Sequence, residues 1–367
     1  MRDDILKEVT ERLKRDYGFR ASGAWLQGGK CKKCDKKEAF ARADAPWVVK
    51  CGRLNRCGEE VHVKELYPDI FDNWSKRHKQ TPENPHAAAD AYLSFQRGFD
   101  LMGLRSAYTQ EWYRDPDLGI ASATVRFPLP GGGYWERLID QPSRFGKKKA
   151  RFSYGGGHKG HCWIYPGTTL EQLARADELW FAEGIFDAIA LVQRGKLQAV
   201  STLTCNIYPE YFLADLRRVC GELNLAGPRL IWAFDVGKAG VHFTRKFHER
   251  ATEEGWRSGA AQVRPDGEGE KLDWNDLAQR DRLKPDDLAT YRWNGEVTIA
   301  PSATAKALLI YEREKFANFP LTFGGRQLWA SFSIDRIQAE LAAMLESSEP
   351  ELEDFKSLPF DAQWHKA

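Results

Sequence analysis

The stretch Glu178-Leu-Trp-Phe-Ala-Glu183-Gly184-Ile-Phe-Asp187-Ala-Ile-Ala-Leu191 decides how this chain folds. An apolar run stops at a carboxylate and a glycine, and the pattern then changes to helical spacing, so Glu183 is expected at the carboxyl-terminal tip of a strand. A second unit, Arg229-Leu-Ile-Trp-Ala-Phe-Asp235-Val-Gly237-Lys238-Ala-Gly240, again runs from an apolar strand to an acid, then to small residues and a helix expected over Val241 to Gly255. Between the two, Gln198 to Thr204 reads as a strand and Pro209 to Leu223 as a helix. Strands and helices alternating in this way predict a parallel sheet with right-handed crossovers. Ligands of such sheets bind in the crevice beyond the strand tips. A third acidic group, Asp273-Trp-Asn275-Asp276, follows a strand candidate at Ala260 to Val263. Carboxylates gathered from separate strand ends suit hard, oxygen-seeking divalent ions such as magnesium, which also take oxygens from substrate phosphates.

Near the amino terminus, Cys31-Lys-Lys-Cys34 and Cys51-Gly-Arg-Leu-Asn-Arg-Cys57 place four of the seven cysteines in one short, lysine-rich segment. Two thiol pairs beside turn-forming residues match the way a zinc ribbon presents four thiolates from two hairpin tips. Cys31, Cys34, Cys51 and Cys57 are the expected zinc ligands, with Cys57 preferred to the nearby His62 as the fourth. The bland alternative, four reduced core cysteines, lacks an apolar core for them to join. Lys32, Lys33, Lys36, Lys37, Arg53 and Arg56 would give the ribbon a phosphate-attracting surface, unless they simply solvate a small domain. Cys162, Cys205 and Cys220 have no partner at metal spacing and read as core or loop thiols.

The net charge of +2 over 367 residues announces no polyanion-binding protein as a whole, so any basic surface must be local. One candidate is Arg144 to His161, where Arg144, Lys147, Lys148, Lys149, Arg151 and Lys159 alternate with Phe145, Phe152 and Tyr154 beside a glycine triplet. Cations that neutralise phosphates, mixed with rings that stack on bases, are what a single-strand groove requires. A solvated loop anchored by its aromatics is the plainer reading. Elsewhere Asp4 to Tyr17 has helical spacing, Glu65 to Lys79 reads as one helix, and Ala87 to Phe95 as another ending at Arg97-Gly98. Ser122 to Pro130, Gly131-Gly-Gly and Tyr134 to Asp140 read as a hairpin. No apolar run approaches the roughly 20 residues that span a bilayer, and no signal-peptide pattern opens the sequence, so a cytoplasmic location is the default.

The acidic motifs resemble the TOPRIM fold of bacterial and phage DNA primases: Glu183-Gly-x-x-Asp187, then an acidic tip followed by Ala239-Gly240, then Lys271-x-Asp273-x-Asn275. At one position the pattern differs, because the second aspartate of Asp-x-Asp-x-Ala-Gly is here Gly237. The resemblance implies an α/β multidomain chain with expected parts 1–67, a zinc ribbon with an amino-terminal helix; 68–175, a basic α+β subdomain; 176–282, the TOPRIM domain with its Rossmann-like parallel sheet; and 283–367, a helical tail or a linker toward a helicase. It also implies Glu183, Asp187, Asp235 and Asp273 as catalytic, and Glu183, Asp235, Asp273 and Asp276 as ligands of Mg2+ or Mn2+. Lys238, at a helix entry, would contact phosphate or remain a surface lysine. Asp187 and Asp273 each have a structural alternative as helix-start carboxylates. The activity implied is synthesis of short RNA primers on single-stranded DNA from ribonucleoside triphosphates, with a replicative helicase in cis or in trans. Two rivals are a TOPRIM nuclease or topoisomerase-like enzyme and a catalytically silent nucleic-acid-binding module, the latter kept open by Gly237. No Gly-x-x-x-x-Gly-Lys-Ser/Thr motor motif occurs. Helices are expected over Ala305 to Phe316 and Ile334 to Leu345, around a strand-like Gln327 to Phe332, and the chain is read as part of a longer protein.

Overall fold

A computed structural model describes residues 3–146, 148–263 and 272–302, with 305–306, 309–310, 313, 318–323, 326–331 and 365–366 beyond them. Helix α1 (Asp3–Tyr17) turns Ile5, Val9 and Leu13 inward, as their spacing predicts. They join the core of a five-stranded antiparallel sheet in sequential order, β1 (Arg20–Ser22), β2 (Trp25–Gly29), β3 (Ala39–Arg42), β4 (Val48–Cys51) and β5 (Glu60–His62).

The stretch expected as one helix from Glu65 is three short ones: α2 (Val63–Leu66), α3 (Pro68–Phe71) and α4 (Trp74–Arg77). Pro68 brings no backbone N–H to continue a helix, and Tyr67 and Asn73 both leave the helical region, with φ of −132° and −118°. Helix α5 (Ala87–Ala91) runs on into a π-helical turn, Tyr92–Gln96. Four antiparallel strands follow: β6 (Thr109–Arg114), β7 (Ala121–Pro128), β8 (Tyr134–Leu138) and β9 (Ala150–Phe152). The expected glycine-triplet hairpin joins β7 and β8 with Pro128 opposite Tyr134.

The parallel sheet comprises β10 (Trp163–Ile164), β11 (Glu178–Ala182), β12 (Ala199–Ser201), β13 (Arg229–Ala233) and β14 (Ser258–Ala260), in spatial order β10-β12-β11-β13-β14. All neighbours are parallel except β10, which caps one edge antiparallel. Its strands read as continuous apolar runs because both faces are covered. Leu179, Phe181 and Trp232 face one core with α6 (Leu170–Ala174), α8 (Glu210–Glu222) and α9 (Lys238–Glu253), while Trp180, Ala182 and Ile231 face the other with α7 (Ile185–Gln193), α10 (Trp274–Gln279) and α11 (Pro285–Ile299). Boundaries differ from expectation at β14, which runs Ser258–Ala260 and not from Ala260 to Val263, at β12, which is shorter than Gln198 to Thr204, and at α9, which starts at Lys238 rather than Val241.

Beyond α11, β15 (Asn318–Phe323) and β16 (Arg326–Ser331) pair antiparallel, and β17 (His365–Lys366) pairs with β16. The helix expected over Ile334 to Leu345 lies outside the described residues. Among the described residues no helix is long and apolar enough to cross a membrane.

Candidate metal centres and their surroundings

The first centre is the cysteine set. Cys31 and Cys34 occupy the turn after β2, Cys51 ends β4, and Cys57 lies in the turn between β4 and β5. Each turn is closed by its own backbone, Asp35 N donating to Cys31 O and Cys57 N to Arg53 O, both at 2.8 Å. Sγ of Cys31 lies 3.8 Å from that of Cys57, and Sγ of Cys34 lies 3.8 Å from that of Cys51. All four sulfurs fall within 4.8 Å of one another. Bonds of about 2.3 Å to one tetrahedral ion put sulfurs about 3.8 Å apart, so this donor set fits zinc. Crowding splits the thiols. A backbone N–H at Lys36 leads in bringing Cys34 down to about 7. The N–H at Arg53 pulls Cys51 the same way, but burial and the neighbouring thiols outweigh it and push Cys51 up to about 12. His62 stands apart from the set, with its Nε2 2.6 Å from Arg280 Nη2. Of the ribbon cations, Lys33 pairs with Glu59 at 2.6 Å and Lys32 lies over the Tyr17 ring.

The second centre is assembled at the carboxyl ends of β11 and β13. Glu183 follows β11, and the next turn is held by Ser201, whose Oγ donates to Glu183 O at 3.0 Å. Burial raises the Glu183 carboxyl, and the thiol and backbone N–H of Cys205 pull it down against that rise. Gly184 is required by its neighbour, since a Cβ there would lie 2.7 Å from Asp187 Oδ2. Asp187, in the first turn of α7, is buried and accepts from Asn275 N at 3.2 Å. Asp235 follows β13, and Gly240 lets α9 close over it, because a Cβ on Gly240 would run into Asp235 O. The spacing of acid and glycine in both motifs is therefore steric in origin.

Helix α10 brings the third acid. Trp274 is fully buried, packs edge-on against Trp180 at 5.8 Å, and donates Nε1 to Ala233 O at 2.7 Å, which ties the helix to the end of β13. Asp273 caps the helix, accepting from Asp276 N at 2.6 Å. It is thus both a cap and a member of the acidic group, and the two readings do not compete.

Crowding raises these carboxyls. Burial, then Asp273 and Asp235, hold Asp187 well above the usual carboxylate range. Burial, then Glu183, Asp273 and Asp276, push Asp235 up to about 7. Asp273 is raised by burial and by Asp276, and Glu183 by burial against the opposing pull of Cys205. Asp235 Oδ1 is buried with no hydrogen-bond partner among the described residues. An orphaned carboxylate oxygen amid like charges fits a divalent cation. Among the described residues, however, only the cysteines form a compact set of three or more ligand atoms. Magnesium, which keeps several waters and takes one or two carboxylates, tolerates such an open arrangement.

The basic segment divides. Arg151 Nη1 is 2.6 Å from Glu136 Oε1, and Arg126 binds the other oxygen of the same buried carboxylate at 2.9 Å. Arg144 donates to Ala121 O and Asp140 O. Lys148 lies 3.6 Å from Asp115. Lys149, Lys159 and Lys238 are exposed, Tyr154 projects fully into solvent, and Lys147 lies outside the described residues, as does Lys271 of the third motif. Arg144 and Arg151 are thus each bonded to the chain's own acceptors.

Three neighbours of the acidic centre carry no motif. Cys205, read as a core thiol, touches Glu183. Arg97 donates Nη1 to Asn275 Oδ1 at 3.2 Å and lies over the Phe186 ring at 4.7 Å. Lys64 donates to Gln96 O at 3.2 Å and to Gln279 Oε1 at 3.5 Å; burial, then Arg97, bring its pKa down to about 8.

Residues 180–278 match the family described as Toprim-like, and this part of the chain is a TOPRIM domain. Among solved structures, the chain is similar to the RNA polymerase domain of Mycobacterium tuberculosis primase DnaG, with a TM-score of 0.43 and 17% identity over 67% of this chain and 88% of that one. It is also similar to the zinc-binding and RNA polymerase domains of the Aquifex aeolicus primase, with a TM-score of 0.37 and 13% identity over 86% of this chain and 96% of that one. A third similarity is to the Escherichia coli primase catalytic core, at 0.41 and 16% over 63% and 80%. No curated protein matches the chain.

Proposed function

We propose that the chain is a DNA primase that makes short RNA primers on single-stranded DNA, with Glu183, Asp187, Asp235 and Asp273 at a magnesium- or manganese-dependent centre and zinc on Cys31, Cys34, Cys51 and Cys57. The observation that carries the reading is the convergence of raised carboxyls from two parallel strand tips and the start of α10, inside a segment of the Toprim-like family. A cysteine set at zinc geometry in front of it supports priming over strand cutting. The order of parts, with 1–67 as ribbon, 68–175 as basic subdomain, 176–282 as TOPRIM domain and 283–367 as tail, belongs to the same reading.

A divalent cation at this centre supplies Lewis-acid stabilisation of the charge on attacking and leaving oxygens. The chain's own residues do the rest. Asp235 offers the unpartnered oxygen of the centre, Glu183 stands at the neighbouring strand tip, Asp187 is fixed by Asn275 N, and Asp273 is fixed by capping α10. Lys238, exposed at the first turn of α9 beside Asp235, is available to a triphosphate. Lys149 and Lys159, with the open ring of Tyr154, offer the template phosphates and bases a surface. Ribonucleoside triphosphates and a replicative helicase, joined or separate, complete the partners.

A second reading, a catalytically silent nucleic-acid-binding module, is favoured by Gly237, where an acid would otherwise complete the tip after β13. Incorporation of labelled ribonucleotides on single-stranded DNA, comparing the chain with Glu183→Gln, separates the two. Short products that vanish in the variant support the primase. DNA binding with intact zinc and no products on varied templates sinks it.

A further inference from the structure

The turn between β7 and β8 and the loop after β9 each carry a glycine triplet, 131–133 and 155–157, and the two lie backbone to backbone. A Cβ on Gly131 would run into Gly157 O, one on Gly157 would lie 2.8 Å from Gly131 O, and one on Gly133 would run into Ser153 Oγ. A hairpin turn asks for glycine where φ is positive, but not for a second glycine run packed against it. The loop so clamped is also tied at both ends. At its start Ser153 N donates to Tyr134 O and Ser153 Oγ accepts from Tyr134 N, both at 2.9 Å. At its end the His158 ring stacks on Phe152 at 4.4 Å with 7° between the planes, and His158 O accepts from His161 N at 3.1 Å. Between these ties Tyr154 stands wholly in solvent. Such a ring ordinarily buries about 150–250 Å², and one already held on a fixed support loses little entropy when something covers it. Exposed Lys159 follows the loop directly, and exposed Lys149 precedes β9.

We propose that residues 153–158 form a preset finger whose Tyr154 ring stacks on an unpaired base of a single strand, and that the glycine triplet of the β7–β8 turn holds this finger as well as turning the hairpin. The inference rests on the reading of the chain as a protein of single-stranded DNA and adds to it the element that tells an unpaired strand from a duplex. Every base has a π-face, so the contact tolerates any sequence, whereas in a duplex those faces are already covered by their neighbours. The lysines neutralise phosphates of either form and do not make this distinction. Tyr154 touches the strand in this scheme, while Gly131, Gly133 and Gly157 are positioning residues that act through it.

The test uses the zinc-loaded full chain and a single-stranded oligothymidylate carrying one 2-aminopurine, a base analogue whose fluorescence changes when it stacks. Tyr154→Ala should abolish the change and weaken single-strand binding at least about fivefold, the lower end of what one stacked base contributes. Its affinity for relaxed circular duplex DNA should stay the same. Tyr154→Trp should keep both signal and affinity, and Tyr154→Leu, apolar but without a π-face, should lose both. Gly157→Ala should lose the signal with Tyr154 still in place; if that variant folds poorly, the Tyr154 series decides alone. Lys159→Gln is the contrast: it should lower the salt slope of single-strand binding by about 0.7 and keep the signal. Tyr154→Ala behaving like the natural sequence, Tyr154→Leu binding as well as tyrosine, an equal loss on the duplex, or a folded Gly157→Ala with full signal would each overturn the inference. Primer synthesis on the same preparations keeps the two questions apart. A signal that depends on Tyr154 without any primers sinks the primase reading and leaves the inference standing, whereas primers together with unchanged binding by Tyr154→Ala do the reverse.

Discussion

The two candidate metal centres of this chain are built on opposite plans. In the cysteine centre, two turns closed by their own backbones hold four soft ligands at bonding spacing before any ion is considered, with pairs of sulfurs 3.8 Å apart. In the acidic centre, the ligands come from the ends of β11 and β13 and from α10, each fixed by its own neighbours, and no compact set forms. Local turns can preset a site within about thirty residues, whereas a site gathered from three crossovers is held together by the sheet and kept apart by its own charge.

The largest expected effect breaks the cysteine centre. Chelation of zinc, or Cys57→Ser, should remove on the order of 10 kcal/mol of binding free energy that holds the ribbon folded. Hydrogen exchange should then rise across residues 20–62 while the parallel sheet stays protected. Uniform loss of protection in both would show that the two centres are not independent folding units.

Next in size is the acidic centre itself. Glu183→Gln or Asp235→Asn should lower primer synthesis at least about a hundredfold, because several kcal/mol of charge stabilisation are lost. The same Asp235→Asn should leave the metal-free fold no less stable near neutral pH. Asp235 titrates near 7 when folded, against an ordinary 3.8. Between those values the folded chain keeps a proton that the unfolded chain has released, so stability falls as pH rises through the window and levels off above about 7. Thermal melts of the metal-free chain at pH 4 to 8 should show this slope, and Asp235→Asn should flatten it.

A smaller effect comes from Gly240→Ala, whose new methyl meets Asp235 O. Overpacking of this kind costs about 1–3 kcal/mol. Melting temperature should fall and primer synthesis with it, since Asp235 is pushed. The smallest effect serves as the baseline: Arg218→Ala removes an exposed pair with Glu222 at 2.7 Å and should change stability by no more than about 0.5 kcal/mol.

The TOPRIM core was legible because strands buried on both faces become unbroken apolar runs, and two of those runs, β11 and β13, ended at acids of the candidate site. The ribbon was legible because its ligands are close in sequence. Lys64 and Arg97 were not, since their partners Gln279 and Asn275 lie 215 and 178 residues away and a cation ending a helix carries no signal of what it faces. The pairing of Arg151 with Glu136 was not legible, because the register that sets them opposite each other cannot be read from spacing alone. The early start of α9 was missed because Gly237 to Gly240 has the composition of a loop, while its glycine serves a close approach to Asp235.

Gly237 also has a bearing on what this loop can accept. Its backbone sits at φ +151° and ψ 170°, a conformation that residues with a Cβ rarely adopt, although a side chain there would meet nothing. Space for an acid exists, but the backbone does not offer it a relaxed place. An aspartate placed at 237 in this loop would carry a conformational penalty of about 1–3 kcal/mol. An acidic residue there is therefore accommodated only together with a change in the loop that carries it.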